Sequence, residues 1–135
     1  MYIAFGNRVL DSKDFKEIIE MNSQFKVIKD MSKGSKREDI IAFNLKIDVD
    51  ILKEMLKNDF KDLNTEEVID ELWCLADEIG ADLKKFMPDD SYFDIRAYKL
   101  DESLNAINLI MAVCHEELGK RKLKDIMNRL LTQVE

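Results

Sequence analysis

The chain has 135 residues, with 28 Asp or Glu against 21 Lys or Arg, a net charge of −7, and 46% hydrophobic residues. One Pro and four Gly complete the composition of a folded chain rather than a disordered one. This length buries a core without disulfide or metal staples, so one domain over residues 1–135 is expected. Cys74 and Cys114 are too few for a secreted disulfide framework and have no metal-ligand spacing around them. No apolar run approaches the roughly 18 residues of a membrane span, and Met1 to Arg8 lacks the pattern of a signal peptide. A cytoplasmic protein without membrane contact is expected.

The acidity is local. Residues 1–47 carry a balance of +2, residues 48–102 a balance of −10, and residues 103–135 a balance of +1. A field of that sign in the middle of the chain repels nucleic-acid phosphate and speeds encounter with basic partners.

In chain order, Tyr2 to Phe5 reads as a strand ending at Gly6-Asn7. Asp11 or Ser12 caps a helix carrying Phe15, Ile18, Ile19 and Met21. Phe25 to Met31 reads as a second strand, and Ser32 to Lys36 supplies turn chemistry around Gly34. The alternation of Ile41, Phe43, Leu45, Ile47 and Val49 predicts a half-buried strand that pairs with the preceding one. A helix follows from Asp50 with Ile51, Leu52, Met55, Leu56 and Phe60. Asn64 with Glu67 three residues on predicts a capped helix to a C-terminal Gly80. Ala81 to Met87 adds a turn before Pro88. Tyr92 to Leu100 alternates as a fourth strand, with Phe93, Ile95 and Ala97 on one face. Leu104 to Leu118 is apolar around most of its circumference and reads as a buried helix, with Asp101, Glu102 and Ser103 at its N-terminus. Gly119 separates it from a final helix presenting Leu123, Ile126, Met127, Leu130, Leu131 and Val134.

The order β-α-β-β-α-α-β-α-α predicts an α+β fold. It comprises a four-stranded, largely antiparallel sheet in ferredoxin-like split β-α-β order, a covering helical layer and an added C-terminal helix pair.

His115 is the single histidine. Adjacent residues on a helix point about 100° apart, so Cys114 and His115 do not form a dyad, and a histidine near a helix C-terminus has a structural reason in the helix dipole. Cys74 falls among Glu67, Asp70, Glu71, Asp77 and Glu78 and is expected to be a poor nucleophile. Asp48 with Asp50, Asp89-Asp90 with Asp94, and Asp101-Glu102 lack the spaced ligands and central Gly of a calcium loop. Lys120-Arg121-Lys122 with Lys124 is the densest basic run, but without interleaved aromatics it reads as a solvated face. Gly6-Asn7 is far from a phosphate-binding loop. No cofactor or metal is indicated.

An acidic surface remains, carried by Glu67, Asp70, Glu71, Asp77 and Glu78 with Asp89, Asp90 and Asp94. It suits a small non-enzymatic protein, of toxin-immunity or phage-inhibitor character, that masks a basic surface on a partner such as a nuclease toxin or a nucleic-acid-binding effector. The alternative is a small cytosolic enzyme using carboxylates or His115 in a cleft. Self-association through the apolar stripe of the final helix is a third possibility.

Overall fold

In the computed structural model, which describes residues 1–56 and 63–134, ten elements follow one another. They are β1 (Tyr2–Phe5), β2 (Arg8–Asp11), α1 (Ser12–Asn22), β3 (Lys26–Asp30), β4 (Ile40–Asp48), α2 (Val49–Leu56), α3 (Thr65–Ala81), β5 (Ser91–Asp101), β6 (Ala106–His115) and α4 (Lys120–Thr132). Short 3-10 turns lie at Ser32–Ser35, Asp82–Phe86 and Glu116–Leu118. The expected contribution of Phe60 lies outside the described residues.

Four strands form an antiparallel sheet in the order β3-β4-β6-β5, and β1 and β2 form a separate hairpin. The chain is α+β with a four-stranded antiparallel sheet, as expected, but its strand order is not ferredoxin-like. Among the described residues the only strand that pairs with Tyr2–Phe5 is Arg8–Asp11, and the vacant place in the sheet is taken by β6.

That strand is the main correction. Residues 104–118, expected to be helical, contribute the central strand of the sheet, and a single helix, α4, follows in place of a C-terminal pair. The physical reason is burial on two sides. Ile107, Leu109, Met111 and Val113 join the core beneath α1, α2, α3 and the β1-β2 hairpin, whereas Ile110, Ala112 and Cys114 pack under α4. A strand covered on both faces shows no alternation of polar and apolar residues, so period alone does not separate it from a buried helix.

Other local signals are expressed in altered settings. Asp11 accepts from the Lys13 N–H and caps α1, and Asn64 Oδ1 accepts from the Glu67 N–H and caps α3. Gly80 is not a C-terminal cap. It lies inside α3 where a Cβ would stand 3.0 Å from Ile95 Cδ1, so its role is close approach of the helix to the sheet. Asp101, expected to cap a helix, accepts from the N–H groups of Ser103 and Leu104 and closes the turn between β5 and β6. Gly6-Asn7 is the two-residue connection of the β1-β2 hairpin, with Gly6 at φ +62°.

The amphipathic α4 buries Leu123, Ile126, Met127 and Leu130 against the sheet. Self-association through that stripe would require α4 to leave the sheet. Among the described residues no helix is long and apolar enough to cross a membrane.

Candidate functional site

The acidic residues singled out in the sequence separate into two groups. Glu67, Asp70, Glu71 and Glu78 are exposed along the outer face of α3, opposite Leu72, Ala76 and Gly80, which are buried against the sheet. Exposed Cys74 lies among them. None of the four carboxylates forms an ion pair with a described residue. Asp77, counted with them on spacing, is half-buried, and its Oδ1 accepts from the Ala97 N–H of β5 at 2.9 Å.

The other three lie elsewhere. Asp89 is exposed in the turn before β5. Asp94 sits across from Ala112 on the α4 side of the sheet, the face opposite α3, and is engaged by Arg96 at 3.3 Å. Asp90 is held by Arg8 through two hydrogen bonds of 2.9 and 3.0 Å and by His115 Nε2 at 3.2 Å. The structure thus brings four of the eight together on one helix face.

His115 ends β6 rather than a helix, and its side chain points to the opposite face of the strand from that of Cys114. It lines a cavity of about 290 Å³ with Ala4, Gly6, Asp39, Glu117 and Leu118. Its Nδ1 accepts from the Glu117 N–H at 3.2 Å, and its Nε2 faces Asp90. The Phe5 ring meets the imidazole edge-on at 5.2 Å, and the Arg8 guanidinium lies 5.1 Å from the centre of the Phe5 ring. Both ring nitrogens are committed, so the imidazole joins the β1-β2 hairpin to the end of the sheet. Cys114 is buried, and desolvation pushes its thiol up to about 11, which keeps it protonated and unreactive at neutral pH.

Hydrogen bonds from Arg8 hold the Asp90 carboxyl below the usual range, and the two-pronged contact of Arg37 with Asp39, at 2.8 and 2.9 Å, does the same there. A carboxyl with a depressed folded pKa contributes stability that is complete above its unfolded value, near about 4, and is lost as pH falls through the folded value. On account of these groups, stability should be level from about pH 5 upward and decline on acidification below about pH 4. Urea midpoints measured against pH should show that decline reduced in Asp39→Asn.

Sequence reasoning missed Arg8 and Asp39. The signal that marks Arg8 is the Gly-Asn pair between Phe5 and Arg8, the turn of a hairpin rather than the end of a lone strand. Among the described residues no group of three or more His, Cys, Asp or Glu is placed to hold a metal ion. No family model, curated protein or solved structure matches this chain.

Proposed function

We propose that this chain is a small non-enzymatic binding protein that masks a basic surface on a protein partner, with Glu67, Asp70, Glu71 and Glu78 on α3 as the contact. The observation supporting this is a contrast between carboxylates. Asp39, Asp77, Asp90 and Asp94 each have an Arg or a backbone N–H as partner, whereas these four face solvent with no such partner among the described residues. Glu67 and Glu71, one turn apart, repel at a cost of a few tenths of a kcal/mol. A cationic partner surface relieves that repulsion, and complementary fields raise the rate of encounter and exclude partners of the wrong sign. A nuclease toxin or other nucleic-acid-binding effector has such a surface, which gives the reading its immunity-protein or inhibitor character.

Replacing all four residues by Lys should weaken binding at least 100-fold without disturbing the fold. Partners recovered from the native host with the wild-type chain, once purified, can be titrated with both forms. Equal affinity, or a partner whose contact surface is acidic, would reject the reading.

The enzymatic alternative has one observation in its favour, the convergence of Asp39, His115 and Glu117 on a single cavity. The engagement of both imidazole nitrogens weighs against it. It requires a turnover that disappears in His115→Asn while the urea midpoint is kept. A chain with no turnover to lose ends that alternative.

A further inference from the structure

The strand order leaves β5 at an edge of the sheet. In an antiparallel strand the N–H and C=O of one residue point to the same side, and the side alternates along the chain. The Ala97 N–H points away from β6, since it donates to Asp77. Ile95 and Phe93 lie two and four residues earlier in unbroken register with Met111 and Val113, so their N–H and C=O groups also point outward. Neither N–H is taken by a described side chain or loop carbonyl. An open edge of this kind is a template for a further strand.

This stretch of edge runs through a groove of about 320 Å³ whose lining includes Lys84, Arg96, Lys120 and Lys124. Lys84 comes from the turn after α3, and Lys120 and Lys124 come from α4, so cations flank the edge from both layers. Arg96 is engaged with Asp94 and Asn128. The three lysines form no ion pair with a described residue. Lys120 and Lys124 stand one turn apart on one helix, a repulsive spacing, and Lys120 sits at the positive end of the helix dipole. Asp94 also lines the groove but is taken by Arg96, and Lys120 lies 5.3 Å from the centre of the Tyr92 ring, so in a chain with a net charge of −7 the three lysines have no carboxylate partner among the described residues.

We propose that the β5 edge, over Tyr92 to Arg96, accepts an extended acidic peptide segment of a partner as a fifth strand. Side chains of an added strand alternate between the two faces of the sheet. Carboxylates on one face therefore meet Lys84, and those on the other meet Lys120 and Lys124. The outward N–H and C=O groups of Phe93 and Ile95 supply main-chain hydrogen bonds, the mode by which sheet edges capture peptides. Asp77 sets the limit of the site, because its carboxylate already occupies the Ala97 N–H where the register between β5 and β6 shifts. This surface is independent of the outer face of α3.

The test is fluorescence anisotropy with a fluorescein-labelled octapeptide of alternating Glu and Val, titrated with the full chain. Two further versions carry N-methyl groups on every Glu or on every Val, which removes the hydrogen-bonding donors of one side of the peptide. Strand addition predicts saturable binding that falls at least tenfold for one methylated version and stays within threefold for the other. It also predicts a fall of at least tenfold in Lys120→Glu/Lys124→Glu, both positions being exposed. Should that double variant unfold, the single variants Lys120→Glu and Lys124→Glu serve in its place. Absence of saturable binding overturns the proposal, as does equal binding of both methylated versions with the parent peptide or equal binding of a Lys and Val octapeptide. Displacement by inorganic pyrophosphate with no effect of methylation would show a plain anion site instead.

Discussion

Leu109→Ala should lower the unfolding free energy by about 2–5 kcal/mol, the range for deleting a fully buried leucine side chain. Leu109 is 0% exposed at the middle of β6, between Leu45 of β4 and Ala97 of β5, on the face covered by α3. Its Cδ2 would lie 3.4 Å from a Cβ added at Gly80, so helix and strand are in close contact at this point. The backbone of a central strand is fixed by pairing on both sides and has little freedom to collapse into the space left behind. Since domains of this size are stable by about 5–15 kcal/mol in total, the loss is a large share. Urea denaturation should show a lower midpoint with an unchanged slope. A change below about 1 kcal/mol would be incompatible with a central, doubly covered β6.

Gly6→Ala should cost about 2–3 kcal/mol and, more specifically, displace His115. Gly6 has φ +62°, where an L side chain is strained, and its added Cβ would lie 2.8 Å from Cδ2 and Nε2 of the imidazole. The ring has no easy retreat, since the Glu117 N–H, Asp90 and Phe5 hold it from three directions. The methyl group therefore has to push the β1-β2 hairpin away from the sheet, or break the bridge from Arg8 through Asp90 to His115. Gly119→Ala is the matched control, with φ +92° but no atom within 4 Å of the new Cβ. Both variants should lose stability through backbone strain. Only Gly6→Ala should shift the imidazole resonances in an NMR spectrum, and unshifted resonances would contradict the contact.

The two variants probe the places where chain pattern and fold diverge most. β4 and β5 were legible because each has alternating residues that face different surroundings. α1 and α3 were legible because Asp11 and Asn64 satisfy N–H groups within three residues of themselves, a bond that needs nothing distant. β6 was not legible, because α4 arrives on its second face from residues that follow it in sequence, and the resulting double burial erases the period. The acidic surface shows the same division. Spacing on one helix placed Glu67, Asp70, Glu71 and Glu78 together, and the structure keeps them together. Spacing said nothing of Asp77 meeting Ala97, or of Asp90 meeting Arg8 across 82 positions of sequence.

The sequence by itself determined the composition class, most of the helices and strands, the N-caps of α1 and α3, and the acidic face of α3, since each of these rests on interactions among residues a few positions apart. Tertiary structure alone decided that residues 106–115 are the central strand, that β5 is an edge, and which charged groups are neutralised within the molecule. Those outcomes depend on which surfaces meet after the chain has closed long loops. Burial on two sides and pairing across such distances leave no periodic trace in the order of the residues.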